Sequence, residues 1–436
     1  MLNKDFIKRT KELLGDEYEA FEESLETSPP VSIRINPRKT GKRSEQPVKW
    51  CETGYYLPER PSFTFDPLFH AGTYYVQEAA SMFLEQAFLY LVENKNVTCL
   101  DLCAAPGGKS THLISLLSAD SLLVSNEVIR SRSLILAENM AKWGYPNSLV
   151  TNSDPKDFGK LKNVFDVVVA DLPCSGEGLF RKDPTSRDEW SVANVELCAA
   201  RQRRIVHDVW DALKPGGYLV YSTCTFNTEE NEDNVLKLSQ ELDAEIITIP
   251  VKPEWNITGS LKHDIPVYRF FPHKTWGEGF FMAVFRKKPD DFKEIGYKSK
   301  LSKTASPLQD YLLNPEKFVF QNTSAIPEKQ REIFGYLSDN LNVINQGIQL
   351  GEWKGRDFIP SAALALSTEL NREKFPNVEL SYNEAIQYLR KETLNLSAGI
   401  LKGFILVHYQ NVPLGFMKNI GNRANNLYPK EWRIRK

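Results

Sequence analysis

The sequence predicts an α/β protein: a doubly wound, mostly parallel sheet, preceded by a small extension and followed by a β-rich module. Residues 97–287 alternate apolar runs of strand length with helical stretches. The runs are rich in Val, Leu and Phe, as strands covered on both faces must be. Four of them end at a carboxylate, Asp101, Glu127, Asp154 and Asp171, which would line one crevice because open α/β sheets bind ligands at the carboxyl ends of their strands.

Taken in chain order, the first thirty residues read as a charged amphipathic helix without the apolar stretch of a signal peptide. SIRINPRKTGKR (32–43) alternates like a strand and then turns basic, and QEAASMFLEQAFLYLV (77–92) reads as an amphipathic helix feeding the first core strand. Core strands follow at 97–102, 122–128, 148–154, 165–173, 217–224 and 279–287, the fifth entered through the helix-stopping Lys214-Pro215-Gly216-Gly217. A charged stretch poor in large apolar residues then reads as a linker. The closing segment, 399–436, carries short strands broken by Gly, Pro and Asn.

At 436 residues and 42% hydrophobic, the chain can bury one sizeable core and at least one further domain. A net charge of −2 leaves the partner open. No window offers the roughly 20 apolar residues that cross a bilayer. The six cysteines form no C-x-x-C pair, which points to a reduced cytosol, and none of the six histidines sits in a metal-binding pattern, so no metal is expected. Cys51, Cys99 and Cys198 read as structural.

The turn after the first strand, Asp101 to Lys109, reads DLCAAPGGK. Small residues there let backbone approach a nucleotide closely. Neither G-x-G-x-x-G nor G-x-x-x-x-G-K-[ST] is present, so phosphate-bearing ligands lose support. Glu127 ends the second strand, a position from which a carboxylate accepts hydrogen bonds from ribose hydroxyls. A nucleoside without a phosphate satisfies both observations, and S-adenosylmethionine is one.

Cys174 and Cys224 each lie at or just past the end of a core strand, facing the same crevice. Carbon 5 of cytosine is too poor a nucleophile to attack a methylsulfonium directly. Addition of a thiolate to carbon 6 makes it enamine-like, which is a reason to want a thiol there. Asp171 could hydrogen-bond the amino edge of the base and stabilise charge at ring nitrogen 3. On the residues alone, either cysteine could be the nucleophile.

Together DLCAAPGGK, Asn126-Glu127, NSDP (152–155), DLPCSGEG (171–178) and YSTCTFNTEENE (221–232) resemble the NOP/Sun family of RNA cytosine-5 methyltransferases, over roughly residues 28–287. The resemblance implies S-adenosylmethionine as cofactor, surrounded by Cys103, Ala104, Ala105, Pro106, Gly107, Gly108, Lys109, Glu127, Asp154 and Asp171. Glu127 would sit at the ribose and Asp154 near the adenine. It implies Cys224 as nucleophile and Cys174 as the residue that helps release the methylated product. DNA cytosine methyltransferases use the cysteine of Pro-Cys instead, which keeps Cys174 as the rival.

The C-terminal region is similar to the bacterial branch acting on small-subunit (16S) ribosomal RNA, through GNRANNLYPKEWRIR (421–435), and implies a PUA-like module. Residues 417–436 hold six cations (Lys418, Arg423, Lys430, Arg433, Arg435, Lys436) against Glu431, with Tyr428 and Trp432 interleaved, a composition suited to phosphate contacts and base stacking. Arg201, Arg203 and Arg204 offer a second phosphate clamp or ordinary surface.

The expected division is an N-terminal RNA-binding extension (1–92), a Rossmann-like S-adenosylmethionine-dependent methyltransferase core (93–288), a linker (289–305) and a C-terminal region (306–436) ending in the PUA-like RNA-binding module. The expected partner is ribosomal RNA or the small ribosomal subunit, with no membrane, the protein a cytoplasmic monomer. Two alternatives are an RNA-binding assembly factor without turnover and a cytosine-5 methyltransferase of tRNA. A third, amino-group methylation of adenine, calls for Asn/Asp-Pro-Pro-aromatic after the fourth strand, where Asp171-Leu172-Pro173-Cys174 offers a thiol.

Overall fold

Alternation of apolar side chains along six strands builds two hydrophobic layers around one sheet. Cys99, Leu123, Val167, Val169 and Val220 face one layer. Their neighbours Leu100, Val124, Val168 and Leu219 face the other, as a period of two requires. The computed structural model describes residues 2–39, 46–93, 95–292, 296, 306–394, 401–421 and 423–435. Lys42, Arg43, most of 289–305 and Lys436 lie outside the described residues.

The core strands are β1 (Thr98–Asp101), β2 (Leu122–Asn126), β3 (Ser148–Thr151), β4 (Phe165–Asp171), β5 (Leu213–Thr223) and β6 (Phe280–Arg286), in the order 3-2-1-4-5-6. The first five are parallel and β6 is antiparallel to β5. The strand order reverses between β1 and β4, and their carboxyl ends open the crevice that such a switch point creates. Three helices are needed below: α1 (Gly108–Leu116), α2 (Arg130–Trp143) and α3 (Val192–Trp210).

Several local expectations change. Lys214–Gly217 is no turn ahead of a strand: α3 has already ended, and β5 pairs Leu213 with Phe165 before the register jumps to Tyr218 opposite Val167, so the Pro-Gly-Gly segment bulges within the strand. The first thirty residues form two helices, Lys4–Leu14 and Tyr18–Leu25, rather than one. The α-helix expected over 77–92 spans Leu84–Val92, because the Glu78 carboxylate accepts from the Ala80 and Ser81 amides and holds 80–83 in a tighter turn.

The two N-terminal helices pack onto loops of the core. Phe6 meets Phe180 and Trp190 edge-on, and Phe21 meets Phe226. A four-stranded antiparallel sheet follows, around Val31–Ile35. Arg34, within the basic stretch expected on the substrate side, is wholly buried, donating to Gln77 Oε1 (2.8 Å) and Thr111 Oγ1 (2.6 Å) over the Trp143 ring.

The C-terminal region adds a strand to the core sheet. Residues Val343–Gln346 pair antiparallel with β3, and Phe334 and Leu337 of helix Arg331–Asn340 enter one core layer. Beyond it, strands Asn377–Glu379, Gly403–Tyr409, Val412–Asn419 and Ala424–Asn426 form a sheet closed by helix Tyr382–Leu389. Tyr428, expected to stack on bases, is buried against Tyr388 in that module's core and cannot do so. Of the arginine cluster on α3, Arg203 donates to Asn234 and Arg204 lies near Asp208, the pattern of ordinary surface.

Candidate active site

Each catalytic candidate leaves the carboxyl end of a parallel strand. After β1 the loop is tied down by backbone and amide bonds: Ala104 N donates to Asn126 O (2.8 Å), Arg132 Nη2 to Ala105 O (2.8 Å) and Asn139 Nδ2 to Pro106 O (2.8 Å). Gly107 then opens α1 at φ +116, a conformation that side-chain-bearing residues avoid. Cys103 belongs to this loop, and burial pushes its thiol up and keeps it protonated.

The four strand-end carboxylates expected in one crevice take different surroundings. Glu127 is buried, its Oε1 accepting from the Ile129 amide (2.9 Å) and Oε2 lying 3.4 Å from Arg132. Asp154 is half-buried and caps the short helix Pro155–Gly159. Asp171 accepts from Ser222 Oγ (2.8 Å) and pairs with Lys109 Nζ (2.8 Å). Asp101 is instead sealed beneath the loop, holding Ser110 Oγ at 2.6 Å, with burial raising its pKa to about 7.

The structure brings the two cysteines together. Cys174 Sγ and Cys224 Sγ are 3.0 Å apart as free thiols, and the Cys224 amide points at Cys174 Sγ (3.4 Å). The contact with Cys224, then burial, push the Cys174 thiol well up, so Cys174 keeps its proton. Burial would lower Lys109, yet Asp171 lifts it above its ordinary value, with Asp101 and Cys224 adding to the pull. A fixed ammonium therefore stands in the electrostatic reach of Cys224 and links the β1 loop to the end of β4.

Two buried acids that sequence reasoning passed over hold the cysteine loops. Glu177 Oε2 accepts from the amides of Phe226 (2.7 Å) and Asn227 (2.9 Å), just past Cys224, and its Oε1 accepts from Trp190 Nε1. Glu230 accepts from the Ser175 amide (3.0 Å), just past Cys174, and from Gln202 and Asn227. Each brace crosses to the other cysteine's loop. At Gly178 a Cβ would lie 2.8 Å from the Cys224 carbonyl, so only glycine lets these loops meet. The one available signal was an acid three residues after Cys174 and another six after Cys224.

Burial lifts Glu230 to about 7 against the hydrogen bonds that lower it. Because its folded pKa lies above the unfolded value near 4.5, its contribution to stability is full below about pH 4.5 and is lost as pH rises through 7. Glu230→Gln, which does not titrate, is expected to remove roughly 3 kcal/mol of that pH dependence. Denaturant unfolding of both proteins at pH 5 and 7.5 checks this: equal pH dependence would refute it.

Away from the crevice, Cys51, Glu85 and His112 converge, with ligand-type atoms within 4.8 Å of one another. Glu85 Oε2 is already bonded by His112 (2.9 Å) and Cys51 (3.1 Å), so the cluster is held by its own hydrogen bonds.

Comparison with known proteins places this geometry. Residues 88–286 match the model of 16S rRNA methyltransferase RsmB/F, residues 2–79 the N-terminal domain of 16S rRNA methyltransferase RsmF, and residues 375–434 the RsmF PUA domain. The chain is 31% identical over 407 residues to ribosomal RNA small subunit methyltransferase F of Escherichia coli O139:H28 (strain E24377A / ETEC), covering 88% of this chain and 84% of that one.

The chain belongs to the RsmB/F family of 16S rRNA methyltransferases.

The protein of that name from Shigella boydii serotype 4 (strain Sb227) matches with the same identity and coverage. Among solved structures, a methyltransferase homolog from Pyrococcus horikoshii superposes with a TM-score of 0.56 at 27% identity, over 65% of this chain and 95% of that one. NSun6 from Pyrococcus horikoshii shares the fold with a TM-score of 0.55 at 20% identity, over 66% of this chain and 99% of that one. Like others in the RsmB/F family, the chain is an S-adenosylmethionine-dependent rRNA methyltransferase with a Rossmann-like core and a C-terminal PUA domain. The strand-end groups fit that cofactor: a carboxylate such as Glu127 can accept hydrogen bonds from ribose hydroxyls, and carboxylates tolerate a sulfonium cation. Among the described residues no helix is long and apolar enough to cross a membrane.

Proposed function

We propose that this chain methylates carbon 5 of a cytosine in 16S ribosomal RNA with Cys224 as nucleophile and Cys174 as the residue that assists release. The contact between the two thiols, 3.0 Å apart beside the Asp171–Lys109 pair, supports this reading above all else. S-adenosylmethionine, when bound, supplies the methyl group.

The thiolate of Cys224 adds to carbon 6, and the electron pair it displaces moves through carbon 5 into the ring. Asp171, oriented by Ser222 and Lys109, accepts a hydrogen bond from the amino group of the base, and the Lys109 ammonium held against it offsets the negative charge that develops in the ring. Carbon 5 then takes the methyl group. Loss of the carbon-5 proton to a base re-forms the double bond and expels Cys224 as a thiolate. Cys174, which keeps its proton, donates a hydrogen bond to the departing sulfur and stabilises it as a thiolate, which is how it assists release.

The cofactor would be held by Cys103, Ala104, Ala105, Pro106, Gly107, Gly108, Lys109, Glu127, Asp154 and Asp171, with Glu127 on the ribose hydroxyls. Glu127→Ala is expected to weaken S-adenosylmethionine binding roughly 10- to 150-fold, the loss of about 1.5–3 kcal/mol for hydrogen bonds to a charged group. Calorimetric titration checks it, and an unchanged Kd would remove Glu127 from the site.

Residues 1–92 and the region from 306 onward are assigned to RNA contacts flanking the core. The protein acts in the cytoplasm as a monomer on ribosomal RNA, free or in the small subunit, without a metal. Transfer of labelled methyl to naked 16S RNA and to small subunits, followed by nucleoside analysis, tests the reaction. Label in 5-methylcytidine supports it; label at another atom overturns it.

A further inference from the structure

Trp276 leaves more than half of its surface, 55%, in water, although it sits in a tightly fastened turn. Its ring stacks on Tyr56 with centroids 4.3 Å apart, and Tyr56 Oη donates to the Trp276 carbonyl (2.6 Å). The next two residues are held as firmly. Arg181 Nη2 donates to Gly277 O (2.6 Å) and pairs with Glu278 in a buried bridge, while the Glu278 amide donates to Glu78 Oε1 (2.9 Å). A Cβ on Gly277 would meet that same carboxylate at 2.8 Å. One face of the indole is therefore covered, and the side chain is fixed with much of its surface open.

This turn is close to the chemistry. Gly279 packs against Gly178, whose amide donates to the Cys224 carbonyl (2.8 Å). Trp276 is three residues from Gly279, a reach of at most about 11 Å. Beside the turn lies a cavity of about 490 Å³ that Arg181 also lines. It presents two further cations, Arg60 and Lys182, while its Glu78 is committed to three backbone amides.

A rigid exposed aromatic face next to cations is the arrangement that holds single-stranded nucleic acid: the ring stacks a base and the charges meet the backbone. We infer that Trp276 stacks a base of the RNA strand adjoining the target cytosine, with Arg60 and Lys182 facing its phosphates. The inference rests on the reading that the substrate is RNA, and Trp276 is a positioning residue within it.

Steady-state methylation of naked 16S RNA by the full-length chain tests it. Trp276→Ala is expected to raise KM for RNA roughly 5- to 150-fold, the equivalent of about 1–3 kcal/mol per stacked base, with kcat and cofactor affinity holding. Trp276→Phe is expected to recover most of the loss. Arg60→Ala combined with Lys182→Ala should flatten the dependence of log KM on log salt by about 0.7 per lost phosphate contact. A KM for Trp276→Ala within twofold of the parent overturns the inference. So does a loss seen with assembled subunits and not with naked RNA, which would assign the indole to a ribosomal protein. Formation of 5-methylcytidine by the unaltered chain in the same assay separates failure of this inference from failure of the reading it rests on.

Discussion

Cys224→Ala is expected to abolish methyl transfer, with a loss on the order of 10⁴-fold or more, the scale on which removal of a covalent nucleophile acts. The side chain is small and only half-buried, and alanine keeps the backbone bonds that fasten its loop, from Gly178 to the Cys224 carbonyl and from Phe226 to Glu177. The folded protein and its cofactor affinity should therefore survive. Without sulfur at this position carbon 6 has no attacking group, so no covalent protein–RNA species forms. Quantitative 5-methylcytidine analysis and a denaturing gel check both expectations. Retained turnover would transfer the nucleophile role to Cys174.

Cys174→Ala has a different expected signature. Attack and methyl transfer proceed, since Cys224, Asp171 and Lys109 remain, but the proton that Cys174 holds against the departing sulfur is gone. The variant should carry out about one turnover per protein and stop with its RNA covalently attached. A band of protein plus RNA on a denaturing gel is the expected result, with multiple-turnover activity falling on the order of 10²–10⁴-fold, the usual worth of a positioned proton donor. An adduct in Cys224→Ala and none in Cys174→Ala would reverse the two roles. Cys174→Ala with full turnover would show that release needs no second thiol.

The two variants act on one 3.0 Å contact that no sequence pattern contains. Fifty residues separate the cysteines, and placing both at strand ends predicts a shared crevice, not touching sulfurs. Asp101 marks a second limit. It ends its strand as Asp171 does, yet it turns beneath the loop to Ser110 while Asp171 turns outward to Lys109, a choice made by packing above each strand end. Tyr428 marks a third: between Arg423 and Lys430 it reads as an RNA contact, but the sheet and helix of the PUA module close over it.

The sequence by itself determined the parallel core, the residue types at the carboxyl ends of its strands and the β-rich module at the end, because strand period, apolar runs and turn residues are local properties that neighbouring residues fix. Only the tertiary structure decided the contact of Cys174 with Cys224, the pairing of Lys109 with Asp171, the bracing of both cysteine loops by Glu177 and Glu230, and the added strand Val343–Gln346 beside β3. The cysteine contact and the two braces span some fifty residues, and the Lys109–Asp171 pair and the added strand bridge longer separations in the chain. All of them depend on how layers dock, and docking is set by the summed burial of the two core faces, which no window of sequence carries.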